Sequence, residues 1–163
     1  MMVYPTKEVF LEKSKEGNLV PVWCEHAAQN ETAVTAYEKV RTFLRDNNQV
    51  SHSYLLESAE GVGKIGRYSF IGGAPRAILR AYGNKVEIED NHSKKTVCDI
   101  DPLEVLKSHM SQYKPVLDDK LESPFIGGAV GFIGYDMVSE FEPRVNRIKK
   151  DDLDAPDMVF MVT

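Results

Sequence analysis

Three side chains able to do chemistry stand close together in the sequence: the carboxylate of Glu57, the hydroxyl of Ser58 and, beyond a polar, glycine-bearing loop, the guanidinium of Arg67. Tyr54, Leu55 and Leu56 lead into Glu57, and Tyr68, Phe70 and Ile71 follow Arg67. Such runs read as two β-strands, and if they pair as a hairpin, Glu57 and Arg67 come near the same end of it. Opposite charges beside apolar side chains suit a small zwitterion with an apolar body. An ordinary cross-strand ion pair is the other reading, and on residue types alone the commoner one.

Other chemistry finds less support. Gly61, Gly63 and Gly66 satisfy G-x-G-x-x-G, but a dinucleotide fingerprint must open a helix, and the residues that follow are β-formers. A Walker loop needs Ser or Thr after Gly63-Lys64, where Ile65 stands, and no kinase signature follows the glycines. His26, His52, His92 and His109 show no metal spacing and read as surface or satisfied core residues. Cys24 and Cys98 lie far apart with no Cys-x-x-Cys, so two free thiols in a reducing compartment are expected. No nucleophile elbow or reactive-cysteine signature is present.

The elements that would position the three groups follow from periodicity. Tyr4 to Glu16 is of mixed charge and reads as a short helix, ended by Gly17-Asn18. Leu19 to Glu25 is rich in β-formers but carries Pro21, which cannot donate to a ladder and so points to an edge strand. From Thr32 to Arg45, Ala33, Ala36, Tyr37, Val40, Phe43 and Leu44 recur at helical spacing, with Thr32 or Thr35 as cap and Asp46-Asn47-Asn48 as stop. Ala77 to Tyr82 and Lys85 to Glu89 flank Gly83-Asn84 as a tight hairpin, and Asp90 to Lys94 turns into a strand from Thr96 to Cys98.

A second helix opens at Asp101-Pro102-Leu103-Glu104, where Asp caps and Pro fits the first turn; Leu103, Leu106, Met110 and Tyr113 mark its buried stripe. After a polar linker, Phe125 to Tyr135 mixes apolar residues with Gly127, Gly128, Gly131 and Gly134, which allow a backbone or ring to approach closely. Tyr135 to Phe141 reads as a short helix, Arg144 to Asp154 as an exposed loop and Asp157 to Thr163 as a terminal strand. That last strand implies either a larger protein or the edge of a small domain. The sum is an α+β fold, a largely antiparallel sheet with two principal helices packed on it, curved enough to enclose an apolar pocket.

With 163 residues, 42% apolar and 28% charged, the chain is long enough for one domain with a sizeable core. A formal charge of −5 with no clustered Lys or Arg argues against a nucleic-acid surface. The first residues acquire charge before any apolar run, unlike a signal peptide, and the longest uncharged stretch, Ser123 to Tyr135, is too short for a bilayer. A cytoplasmic protein without membrane or nucleic-acid partners is the expectation.

Three of these segments recur together in one family. SYLLESAEG, GRYSFIGGAPRAIL and FIGGAVGFIGYDMVSEFE resemble the amino-terminal region of anthranilate synthase component I, in which LLES, GRYSFIG and a glycine-rich segment ending in Gly-Tyr-Asp occur in that order. The Asp101-Pro102-Leu103-Glu104 segment fits as well, and the likeness runs from about Leu19 to the end. Joint occurrence makes it more specific than any one piece.

The resemblance implies a lyase of tryptophan biosynthesis that converts chorismate, with Mg²⁺ and ammonia from a glutamine amidotransferase subunit, to anthranilate and pyruvate. It implies that residues 1–163 are the amino-terminal regulatory domain of a larger α/β enzyme. Chorismate and Mg²⁺ would bind beyond a boundary near or past residues 150–163, so no catalytic residue and no activity are expected in this stretch alone. The family's tryptophan feedback site maps onto Leu56, Glu57, Ser58 and Arg67. Glu57 would pair with the ligand ammonium, Ser58 would hydrogen-bond the ligand or strand, and Arg67 would face the ligand or hold Glu57. Since the family completes this pocket from its other region, weak or no tryptophan binding is expected of the isolated stretch. The related aminodeoxychorismate synthase component I and a small non-enzymatic ligand-binding domain are the alternatives.

Overall fold

The computed structural model describes residues 2–47, 52–57, 68–90, 93–142, 144–145 and 154–163, with the backbone alone at Phe141. Ser58, Arg67, the loop between them and most of the loop expected from Arg144 to Asp154 lie outside these residues. The described elements form the expected α+β fold, but on two separate antiparallel sheets plus a two-residue pairing.

The amino-terminal helix α1 (Lys7–Lys13) is capped by Thr6, whose hydroxyl accepts from the Val9 N–H. Of the strand expected over Leu19 to Glu25, Trp23–Cys24 (β2) pairs with Val3–Tyr4 (β1), the Tyr4 and Trp23 rings stacked at 4.8 Å, and Leu19 makes an isolated parallel bridge with Pro115. Pro21 has no N–H to give a ladder, which agrees with the break between these two pairings. The helix α2 (Ala33–Asp46) uses both candidate caps: the Thr35 N–H donates to the Thr32 hydroxyl, and the Thr32 N–H to that of Thr35.

The strands β3 (Ser53–Glu57) and β4 (Ser69–Gly73) pair as the hairpin inferred from sequence, in a ribbon of their own. The five-stranded sheet holds β5 (Ala77–Tyr82), β6 (Lys85–Asp90), β7 (Lys94–Val97), β8 (Ala129–Ile133) and β9 (Met158–Val162), in the order β7-β6-β5-β9-β8. Gly83 takes the positive φ of 58° that the β5–β6 turn needs, and its N–H donates to an Asp157 carboxylate oxygen at 2.6 Å. The strand over Asp157 to Thr163 is no edge: β9 inserts between β5 and β8.

One face of this sheet carries the core. Ala77, Leu79, Ala81, Val86, Met158 and Val162 are buried there with Val105 of α3 (Pro102–Met110) and with Met137. The buried face of α3 is centred on Pro102 and Val105 rather than on the stripe read from sequence; Leu103, Leu106, Met110 and Tyr113 pack beside it, partly buried. A 3-10 turn, Tyr135–Met137, and the short helix α4 (Val138–Phe141) follow β8, as expected. The two principal helices do not share a sheet: α3 covers the five strands, whereas α2 packs on the β3–β4 ribbon.

The opposite face is charged toward β6 and β7. Glu87 accepts from Lys85 at 2.8 Å and lies 3.0 Å from Lys94, and these hydrogen bonds hold its carboxyl down to about 2. Glycine matters most at Gly131, where a methyl group would fall on the Val159 carbonyl oxygen and within 2.8 Å of the Phe160 Cα. Gly131→Ala must therefore push β8 away from β9, an expected loss of about 1–3 kcal/mol. A denaturant midpoint equal to that of the wild type would contradict so close an approach.

Candidate functional site

The site read from sequence lies at the end of the β3–β4 ribbon where Glu57 is opposite Ser69. Register fixes which side each residue takes, because directly opposed residues of an antiparallel pair point to the same face. Leu56 faces Phe70 and Glu57 faces Ser69, so the two project to opposite sides. Glu57 shares its side with Ser53, Leu55, Ile71 and Gly73. That is the α2 side: the Tyr37 hydroxyl and Ser53 Oγ lie 3.0 Å apart, and a methyl on Gly73 would strike Leu44. Leu56 shares the other side with Tyr54, Phe70 and Gly72, where the Tyr54 ring occupies the space a Gly72 side chain would need.

Both Leu56 and Glu57 are exposed, Leu56 at 42% and Tyr68 across the ribbon at 44%. No described residue forms a hydrogen bond or ion pair with the Glu57 carboxylate. The structure thus places at one ribbon end a carboxylate with no partner among the described residues and, with Leu56 on the opposite side from it, two exposed side chains, Leu56 and Tyr68. Whether Arg67 joins Glu57, as the hairpin argument expects, falls outside the described residues, as does the place of Ser58.

A concavity does adjoin the ribbon. An open cleft of about 480 Å³ runs along β4, all five of whose residues line it together with Trp23, Tyr54 and Phe125. Phe70 meets Phe125 edge-on at 5.4 Å. Glu57 is not among the lining residues. The Trp23 and Phe125 contributions could not be found by local pattern, because both arrive from segments distant in sequence. A second cleft of about 390 Å³, more apolar, is bounded by Leu19, Met110, Tyr113 and Gly128.

Two histidines taken as ordinary from sequence are half-buried. His52, just before β3, sits 3.4 Å from an Arg80 guanidinium nitrogen. Burial and then the Arg80 charge press its pKa down, against the pull of Glu89. His109 is pressed down by burial, against Asp90, and its Nε2 is buried without a hydrogen-bond partner among the described residues. Among the described residues, no three His, Cys, Asp or Glu side chains gather as a metal would require, and no helix is long and apolar enough to cross a membrane. Cys24 and Cys98 are exposed and free.

No family model matches the chain. It is 33% identical over 162 residues to anthranilate synthase component 1 of Acetivibrio thermocellus, an alignment covering 99% of this chain and 31% of that protein. To the Pseudomonas putida protein of the same name it is 37% identical over 160 residues, covering 96% and 31%. To anthranilate synthase alpha subunit 2, chloroplastic, of Oryza sativa it is 34% identical over 154 residues, covering 89% and 25%. The chain spans about a third or less of the length of these curated relatives. Likeness along nearly the whole chain, in proteins of such distant hosts, bears out the motif resemblance: this chain is homologous to the amino-terminal region of anthranilate synthase component 1.

Proposed function

We propose that residues 1–163 are the tryptophan-sensing amino-terminal domain of an anthranilate synthase large subunit. The enzyme, in complex with its amidotransferase partner, converts chorismate and glutamine-derived ammonia to anthranilate and pyruvate, the reaction being carried out beyond this stretch. The observation that carries the reading is the Leu-Leu-Glu-Ser segment at the ribbon end, where Glu57 stands exposed without a partner among the described residues, on the side of Leu55 and Ile71, and Leu56 projects to the opposite side. A carboxylate with no partner among the described residues is available to an incoming ammonium, and a charge-assisted hydrogen bond of that kind contributes about 1.5–3 kcal/mol.

In this reading Glu57 binds the tryptophan ammonium, Ser58 fixes the ligand or the strand, neighbouring apolar side chains on the Glu57 side, Leu55 and Ile71 among them, cover part of the indole, and Arg67 faces the ligand or steadies Glu57. Feedback follows if these contacts form better in an inactive arrangement than in an active one, since a ligand shifts an equilibrium only by its difference in affinity for the two states. The described residues supply no set of ligands for Mg²⁺, which the family resemblance implies for the complete enzyme. Exposed free thiols at Cys24 and Cys98 agree with a reducing compartment such as the cytoplasm.

The test is an assay of the full-length protein with chorismate, Mg²⁺ and glutamine plus amidotransferase, in which anthranilate fluorescence should appear and be suppressed by L-tryptophan. Formation of 4-amino-4-deoxychorismate in place of anthranilate would overturn the assignment in favour of the folate-pathway relative.

A further inference from the structure

His52 stands where the ribbon meets the five-stranded sheet. It immediately precedes β3, and its Nε2 lies 3.4 Å from Nη2 of Arg80 on β5. Arg80 in turn donates to Glu89 of β6 at 2.7 Å. A guanidinium has donors only, so the imidazole must offer a lone pair at Nε2 and carry its single proton on Nδ1. That Nδ1 is buried and has no hydrogen-bond partner among the described residues. The geometry therefore admits the neutral ring in one tautomer. A second proton must go onto Nε2, the atom that now accepts.

We propose that His52 is a pH-operated latch between the β3–β4 ribbon and the five-stranded sheet: neutral, it holds the ribbon to Arg80, and protonated, it gives up that bond and lets the ribbon swing free. Protonation replaces an acceptor with a cation facing a cation at the same distance. Of the charged groups on the surrounding elements, Arg80 opposes the proton and Glu89 favours it, but Glu89 is already engaged by Arg80. Burial adds to the cost of the charged ring.

The sign follows from linkage. The open ribbon, with His52 in water, takes up a proton at the ordinary histidine value near 6.5, while the closed ribbon resists it to lower pH. The latch is thus fully closed above that value and loosens as the pH falls below it. Loosening at the start of β3 would be felt along the ribbon that carries Leu56 and Glu57, so mild acid would disorder the proposed sensor before the core opens.

Two measurements on the protein decide the matter. In a ¹H–¹⁵N titration of the imidazoles, His52 should show an Nδ1-protonated neutral ring and a midpoint below that of an exposed histidine; a midpoint at or above the exposed value would overturn the latch. In amide hydrogen exchange, corrected for intrinsic rates, the β3 and β4 amides should lose protection roughly tenfold between pH 7.5 and 5.5, and those of β5 and β9 should not. His52→Gln keeps an acceptor for Arg80 without a titrating ring, so its ribbon protection should be flat across that range. The same acid-dependent loss in His52→Gln would contradict the proposal, and the imidazole titration still decides if that variant does not fold.

Discussion

Leu79→Ala is expected to lower the free energy of unfolding by about 2–5 kcal/mol. Leu79 has no exposed surface and lies on the central strand β5, directly between Ile88 of β6 and Phe160 of β9, beneath α3. Truncation removes buried methyl groups and leaves a cavity that three hydrogen-bonded strands cannot close by moving independently. In a chain of this size the melting temperature should fall by roughly 2–4 °C for each kcal/mol lost. Chemical denaturation should show a lower midpoint with an unchanged slope. A loss below about 1 kcal/mol would mean that β5 is not the centre of the core.

The second large effect concerns regulation. With Glu57→Gln in the full-length protein, the tryptophan concentration that halves anthranilate formation should rise about ten- to a hundredfold, the equivalent of one charge-assisted hydrogen bond. Glutamine keeps the size and an acceptor oxygen but not the charge, so the change isolates the ion pair with the ligand ammonium. Glu57 is exposed and supports no described neighbour, which separates this effect from general destabilisation. An inhibition curve superimposable on that of the wild type would remove Glu57 from the sensor.

Local chemistry made much of the fold legible. The Thr32 and Thr35 caps, Asp101-Pro102 and the Gly83-Asn84 turn are decided by neighbours within a few residues, and each stands where the sequence places it. The interior position of β9 was not legible: its partners Ala77–Ala81 and Ala129–Ile133 are distant in sequence, and an apolar strand reads alike at an edge or in the middle. The shift of the buried face of α3 to Pro102 and Val105 has the same origin, since a stripe of Leu, Met and Tyr shows which half of the helix is apolar but not the line that meets the sheet.

The site was legible in part. Pairing of the two runs followed from apolar residues on either side of a polar, glycine-bearing loop, and the register then set Leu56 and Glu57 on opposite sides, a consequence of the pleat that the residue types do not announce. The cleft along β4 depends on Trp23 and Phe125 arriving from distant segments. His52 gave no signal because its environment is made by Arg80, 28 residues away.

The central claim, that the end of the β3–β4 ribbon senses tryptophan, is tested most directly by hydrogen–deuterium exchange of the full-length protein with and without saturating L-tryptophan. The account predicts that the peptides containing Leu56 and Glu57 and the facing strand from Ser69 to Gly73 become protected when the amino acid binds. Protection elsewhere, with this ribbon exchanging at the same rate in both conditions, would contradict it.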